Sequence, residues 1–141
     1  MSEARVAVVI EDQLDLRELT EVMLVQAGFA VFTAADGPTG IQAVRDHDPL
    51  LTTLDVNMPG MDGYEVARQL RGFSQTYIIM ITGQADPADV QKAFDAGADD
   101  YLVKPFSIRD LRGRAEAVAS RQGPTDAIGP VAATSPTVNS L

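Results

Sequence analysis

The stretch that decides the fold is Leu54-Asp55-Val56-Asn57-Met58-Pro59-Gly60-Met61-Asp62-Gly63, in which a single aspartate follows a mostly apolar run. The run begins at Leu50, and proline and glycine interrupt the chain at Pro59 and Gly60. A short apolar run that stops in this way predicts a buried strand followed by a loop. Asp55 is therefore expected where a strand leaves the core. Taken alone, Asp55 also suits an ordinary aspartate that ends a strand or caps a turn.

Outward from this stretch, five apolar runs alternate with five segments of helical periodicity. Strands are predicted at 6–10, 30–34, 50–54, 77–81 and 101–103, and helices at 14–27, 38–48, 64–70, 87–96 and 108–120. In the fourth helix, Val90, Ala93 and Phe94 are expected to face inward. Alternating strands and helices predict a parallel sheet covered on both faces. We therefore predict an α/β fold, a flavodoxin-like, doubly wound (βα)5 unit with a five-stranded parallel sheet of order 2-1-3-4-5.

Composition limits the classes of protein that this chain can belong to. It has 141 residues, of which 45% are hydrophobic and 22% charged, which suits one domain. No apolar run approaches the roughly 20 residues of a membrane span. The N-terminus lacks the pattern of a signal peptide. The absence of cysteine excludes disulfides. The net charge of -9 opposes direct binding to nucleic acid. We expect a cytoplasmic protein without membrane contact.

Two segments differ in composition. Residues 1–121 carry the strand and helix pattern, whereas 122–141 are rich in Pro, Thr, Ser and Ala and have no period. The second segment is typical of a flexible tail or linker. It either leads to an output domain or is a plain disordered end.

Reactive side chains follow four of the five predicted strands, at the sheet edge where sites form in doubly wound folds. They are three carboxylates, one hydroxyl and one amine: Glu11, Asp12, Asp55, Thr82 and Lys104. Crowded carboxylates need a cation or become protonated, and all-oxygen ligands suit Mg²⁺. A carboxylate can also be a nucleophile that forms an aspartyl phosphate. Each residue alone has an ordinary explanation as a cap, a strand-end hydroxyl or a solvated lysine, but their coincidence on one edge favours a phosphoryl-transfer site.

Four motifs together resemble the receiver domain of bacterial two-component response regulators, over about residues 1–121. They are Val9-Ile10-Glu11-Asp12, the stretch from Leu54 to Gly63, Ile81-Thr82-Gly83 and Gly97-Ala98-Asp99-Asp100-Tyr101-Leu102-Val103-Lys104-Pro105-Phe106. The resemblance implies a phosphorylation-dependent signalling switch in a phosphorelay rather than an enzyme, although one that promotes its own phosphoryl transfer and slow dephosphorylation. Asp55 would accept the phosphoryl group from a phosphohistidine of a histidine kinase or phosphotransfer protein.

The resemblance also implies roles for the residues around Asp55. Mg²⁺ would be bound by three side chains and one backbone carbonyl, those of Glu11, Asp12, Asp55 and Asn57 respectively. Lys104, before a cis peptide bond to Pro105, would pair with the phosphoryl group. Thr82 would move towards that group, and Tyr101 would turn inward as an aromatic switch. Phosphorylation would then reshape the face made by helix four, strand five and helix five.

That face carries mixed charge and is either a homodimer interface or a solvated surface. Its candidate residues are Asp99, Asp100, Arg109, Asp110 and Arg114. Related regulators that dimerise here commonly have a basic residue where this chain has Val90, a departure that bears on dimerisation. Thr52 and Thr53 replace the usual aliphatic residues of strand three, which bears on stability.

Three other functions fit parts of the pattern. A flavodoxin-like electron carrier is rejected, because Glu11 and Asp12 would repel the phosphate of FMN. A phosphohydrolase would place its nucleophile after strand one and an acid two positions further on, where Asn57 here offers an amide. A degenerate receiver that acts only as a docking module would lack some of the reactive side chains, and none is missing.

Overall fold

A computed structural model describes residues 5–83 and 86–120, in which five strands alternate with five helices. The strands are β1 (Arg5–Ile10), β2 (Phe29–Ala34), β3 (Leu51–Asp55), β4 (Tyr77–Thr82) and β5 (Asp100–Val103). The helices are α1 (Leu14–Gln26), α2 (Gly37–His47), α3 (Gly63–Arg71), α4 (Pro87–Asp95) and α5 (Ile108–Ala119). Each predicted bound lies within one residue of the observed one. The predicted tail, 122–141, lies outside the described residues, and no helix within them is long and apolar enough to cross a membrane.

The five strands form one parallel sheet of order β2-β1-β3-β4-β5, which confirms the predicted fold class. The pairing register aligns the carboxyl ends of the central strands, with Ile10 opposite Leu54 and Asp55 opposite Ile81. β5 continues the alignment, because Thr82 pairs with Val103. Residues that directly follow these strands therefore meet at one edge of the sheet, where the strand order reverses.

Two hydrophobic clusters cover the two faces of the sheet, because side chains alternate along each strand. Val8 and Ile10 of β1 belong to one cluster, together with side chains of α2, α3 and α4. Ala7 and Val9 belong to the other, together with side chains of α1 and α5. All five residues of β3 are buried. The central strands are thereby held on both sides, which gives the residues at their ends a rigid base.

Glycine allows two helices to approach the sheet at close range. A Cβ at Gly40 of α2 would lie 2.4 Å from Cδ1 of Ile10. A Cβ at Gly63 would lie 2.6 Å from the carbonyl oxygen of Asp55, and the Gly63 amide donates to the Val56 carbonyl at 2.9 Å. α3 therefore begins directly against the end of β3.

The prediction that Phe94 faces inward is wrong. Its side chain is 42% exposed, and Ala93 is the one residue of α4 that is fully buried. α4 packs near β5 at the border of the sheet, so only a narrow stripe of this helix is covered. Apolar spacing also fails to predict burial in α1, where Val22 and Val25 are 52% and 54% exposed.

Candidate functional site

Three carboxylates meet at the carboxyl edge of the sheet. Asp55 ends β3 and Glu11 directly follows β1, and the two residues are 2% and 3% exposed. With Asp12, they offer one oxygen each, and these oxygens lie within 4.8 Å of one another. The sequence-based expectation that these three residues come together is thus confirmed.

Burial and mutual repulsion make this cluster costly to ionise. Burial, followed by the charge of Asp55, raises the pKa of Glu11 from 4.5 to about 7. Burial also raises the pKa of Asp55, while its contact with Lys104 opposes the rise. A divalent cation would relieve this repulsion, and a set of oxygen donors of this kind fits Mg²⁺ better than metals that prefer nitrogen or sulfur.

An ammonium group flanks the cluster. Nζ of Lys104 lies 3.0 Å from Oδ1 of Asp55 and 3.9 Å from Oε1 of Glu11. Lys104 follows β5, its amide donates to the Thr82 carbonyl at 2.7 Å, and its peptide bond to Pro105 is cis as expected. The site therefore holds one fixed positive charge beside Asp55, on the side where β5 ends.

Thr82 and Tyr101 form a connected pair next to the cluster. Thr82 is the last residue of β4 and is fully buried, and Tyr101 on the neighbouring strand is partly buried. Burial raises the pKa of the Tyr101 phenol, and a hydrogen bond with the Thr82 side chain opposes this rise. After Thr82, a Cβ built on Gly83 meets no atom of residues 5–83 or 86–120 within 4 Å.

The loop after Asp55 keeps an acid of the carboxylate cluster apart from an acid that caps a helix. The Val56 amide donates to the Ile81 carbonyl at 3.0 Å, so the backbone just past Asp55 is still held by β4. Asn57 is exposed, whereas Asp62 caps α3 by accepting a hydrogen bond from the Glu65 amide at 3.0 Å. Of the two aspartates in this stretch, Asp55 alone belongs to the carboxylate cluster.

The residues predicted for a dimer face do not form one group. Arg114 pairs with both Asp100 and Asp110 within the same chain. Asp99 contacts Arg71 at the end of α3 instead, and its carboxylate also accepts a hydrogen bond from a β4 amide. Arg109 lines a surface groove on another side of α5. Three of the five predicted residues are therefore neighbours.

Arg17 is a site neighbour that the sequence reasoning missed. Its Nη1 donates to the backbone carbonyl oxygens of Glu11 and Asp12, at 2.9 and 3.4 Å. In the sequence Arg17 resembles any arginine on the surface of a helix. Its contact depends on the turn by which α1 folds back on β1, and no local signal encodes that turn.

Comparison with known proteins agrees with this geometry. Residues 7–116 match the family model of the response regulator receiver domain. The transcriptional regulatory protein CseB of Streptomyces avermitilis is 40% identical over 123 residues, which are 87% of this chain and 52% of that protein. The transcriptional regulatory protein AfsQ1 of Streptomyces coelicolor is 43% identical over 112 residues, or 79% of this chain and 50% of that protein. The chain thus spans about half the length of the curated relatives it matches.

Solved structures show the same architecture. The chemotaxis protein CheY4 of Vibrio cholerae superposes with a TM-score of 0.77 at 29% identity, covering 82% of this chain and 99% of that one. The receiver domain of a sensor histidine kinase of Pseudomonas aeruginosa superposes with a TM-score of 0.74 at 26% identity, covering 84% of this chain and 100% of that one. That second structure has a magnesium ion coordinated in its active-site cleft.

Proposed function

Because the chain belongs to the response regulator receiver family, whose members are phosphorylation-dependent switches of two-component systems, we propose that Asp55 is its phosphoacceptor. The observation that carries this proposal is the 3.0 Å contact between Oδ1 of Asp55 and Nζ of Lys104 beside two further carboxylates. A buried nucleophile needs a counter-charge for the phosphoryl oxygens it receives, and Lys104 stands where it can supply one.

Mg²⁺ is the proposed cofactor. Its proposed ligands are the side chains of Glu11, Asp12 and Asp55 and the backbone carbonyl of Asn57. When bound, the ion would supply charge neutralisation to the carboxylates and to the phosphoryl oxygens. The raised pKa of Glu11, to about 7, is consistent with this assignment: burial first, and the charge of Asp55 second, disfavour the ionised carboxylate, which a bound cation would stabilise.

The proposed reaction moves one phosphoryl group from a phosphohistidine to Asp55. A carboxylate oxygen of Asp55 forms the new O–P bond as the N–P bond breaks, and the imidazole nitrogen keeps the electron pair of that bond and then takes a proton. Lys104 pairs with a phosphoryl oxygen in this step. Transfer to water later restores the carboxylate and releases inorganic phosphate. The donor would be a histidine kinase or a phosphotransfer protein.

The proposed switch couples Asp55 to the face of α4, β5 and α5. Thr82 would hydrogen-bond a phosphoryl oxygen, and Tyr101, which already shares a hydrogen bond with Thr82, would follow its shift. A change at Asp55 could therefore alter the balance between two arrangements of this face. Because the matched relatives are transcriptional regulators of which this chain spans only about half, we propose that the face controls an output domain or a separate partner.

A homodimer through the same face is a further proposal. Phe94, 42% exposed, offers an apolar ring there, 6.5 Å from the ring of Tyr101, and β5 and α5 carry the charged group of Arg114, Asp100 and Asp110. The acids already pair within the chain, and Val90 adds no basic partner for them. Any dimer would therefore have to exchange these ion pairs between subunits. Sedimentation of the phosphorylated and unphosphorylated chain tests this, and an unchanged monomer rejects it.

The domain is proposed to act in the cytoplasm. The chain contains no cysteine, so it needs no oxidising compartment for its fold. Fractionation of cells that produce the native gene product would test this location.

A phosphorylation experiment separates the possible functions. The chain is mixed with acetyl phosphate and Mg²⁺, and intact mass and phosphate release are followed over time. One added phosphoryl group per chain with slow release supports a switch. Sustained release would indicate a hydrolase, and no modification would indicate a docking module.

Two variants assign the phosphoacceptor. Asp55→Asn is expected to abolish the added mass, because the amide cannot form the acyl phosphate. Asp62→Asn is the matched control, since Asp62 lies in the same loop but caps α3. Continued modification of Asp55→Asn at the wild-type rate would reject the assignment.

A further inference from the structure

The carbonyl groups of the two acidic residues lie past the end of the sheet. Pairing of β1 with β2 ends at Ile10, and the Glu11 amide makes one more hydrogen bond, to the Ala34 carbonyl at 3.0 Å. Beyond this point, Arg17 donates to the carbonyl oxygens of Glu11 and Asp12. The guanidinium thus replaces the strand neighbour that these carbonyl groups no longer have.

Among the described residues, the start of α1 has no side-chain cap from its own flanking residue. Its first flanking residue, Gln13, makes no side-chain capping hydrogen bond. The Gln13 amide donates instead to Oε2 of Glu11 at 3.2 Å, so Glu11 both belongs to the carboxylate cluster and holds the junction. The Arg17 amide donates to the Gln13 carbonyl at 2.9 Å, which anchors Arg17 within the first turn of α1.

The guanidinium of Arg17 donates its hydrogen bonds to carbonyl groups rather than to a carboxylate. In the part of the chain that the structure describes, Arg17 forms no ion pair. A charged donor gives a carbonyl a stronger hydrogen bond than a neutral donor does. The contact therefore suits a role in fixing the backbone of the two acidic residues.

We propose that Arg17 is a positioning residue, which holds the backbone at Glu11 and Asp12 so that their carboxylates converge with Asp55 and bind a divalent cation. The inference rests on the proposed function for its metal, and on the hydrogen bonds of Arg17 for its geometry. Residues that orient metal ligands without touching the metal commonly change affinity by about 10- to 100-fold.

The two possible effects of Arg17 on a cation have opposite signs. A guanidinium near the cluster repels Mg²⁺, so charge alone predicts tighter binding when Arg17 is removed. A guanidinium that orders the ligands predicts weaker binding when it is removed. The direction of the change therefore distinguishes positioning from simple electrostatics.

Calorimetric titration with MgCl₂ at pH 8 measures this direction. Arg17→Ala is expected to weaken Mg²⁺ binding about tenfold, the lower end of the range for such residues. Arg17→Lys, which keeps the charge but lacks the planar fork, is expected to recover part of the loss. Arg68→Ala removes the same charge from α3, where Arg68 pairs with Glu65, and is expected to leave the affinity unchanged. Equal or tighter binding by Arg17→Ala would overturn the proposal.

Hydrogen exchange of the Gln13 amide provides a second test that needs no metal. Arg17→Ala is expected to speed this exchange while amides in the centre of β3 keep their protection. Unchanged exchange at Gln13 would overturn the positioning role even if the variant bound Mg²⁺ less tightly. If the wild-type chain binds no Mg²⁺, the proposed metal site fails, and the exchange rate at Gln13 still decides the role of Arg17.

Discussion

Replacing Gly63 by alanine tests whether close contact between α3 and β3 builds the site. The new Cβ would lie 2.6 Å from the carbonyl oxygen of Asp55 and 2.7 Å from Cα of Val56. Ordinary contacts of this kind lie at 3.4–4 Å, so α3 or the end of β3 has to move by close to 1 Å. Both atoms belong to the backbone, and rotation of a side chain cannot relieve the clash.

Two opposing effects decide how much Gly63→Ala changes the free energy of unfolding. Overpacking of a tight contact costs about 1–3 kcal/mol. Alanine is the better helix former by about 1 kcal/mol, but Gly63 stands at the first position of α3, where that gain is smaller. We expect the free energy of unfolding to fall by about 2 kcal/mol. Phosphorylation of Asp55 is expected to slow about tenfold or more, because small displacements of a reacting group are costly.

Urea unfolding and acetyl phosphate kinetics provide the assay, with Gly113→Ala as the matched control. Gly113 lies inside α5, and a Cβ there meets no atom within 4 Å in the part of the chain that the structure describes. Alanine at Gly113 is therefore expected to stabilise the protein by about 0.5–1 kcal/mol. If Gly63→Ala proves as stable as Gly113→Ala and is phosphorylated at the wild-type rate, the close approach does not constrain the site.

Three further predictions concern charge. With a chelator present, stability should fall as the pH rises from 4.5 to about 7, because folded Glu11 keeps its proton to higher pH than the unfolded chain. Glu11→Gln should reduce this loss, of which buried Asp55 keeps a part, and should be more stable at pH 8 in urea titrations by at most about 3 kcal/mol. An unchanged pH slope would contradict the raised pKa of Glu11. Lys104→Met leaves buried Asp55 without its ammonium partner, so we expect the free energy of unfolding to fall by about 1–3 kcal/mol in the absence of metal. Added MgCl₂ should reduce this loss. A variant whose stability does not respond to MgCl₂ would count against the metal site. Arg71→Ala loses hydrogen bonds to three backbone carbonyls and an ion pair with Asp99. Calorimetry should show a destabilisation of about 2–4 kcal/mol. The exposed control Arg68→Ala should lose less than about 1 kcal/mol.

Local patterns were sufficient to predict the elements and the contents of the site. Apolar runs and their Pro and Gly boundaries placed all strands and helices within one residue. The meeting of Glu11, Asp55 and Lys104 also followed, because each residue ends or directly follows a strand and parallel strands end at one edge of a sheet. Each βα unit places the end of its strand at the same edge of the sheet, so the position of a residue in its unit was enough to predict where its side chain would lie.

The amino-acid sequence by itself thus determined the order of the elements, the parallel sheet and the side chains that stand at its carboxyl edge. The tertiary structure alone decided how those side chains are held: the pKa of Glu11, the reach of Arg17 to two carbonyl groups, the exposure of Phe94 and the pairing of Asp99 with Arg71. The physical reason is that burial, electrostatic repulsion and hydrogen bonding depend on how segments fold against one another. Some of these segments are far apart in the chain, as for Arg71 and Asp99, and others are joined by a turn, as for Arg17 and the two acidic residues. Periodicity and motif spacing do not encode those contacts.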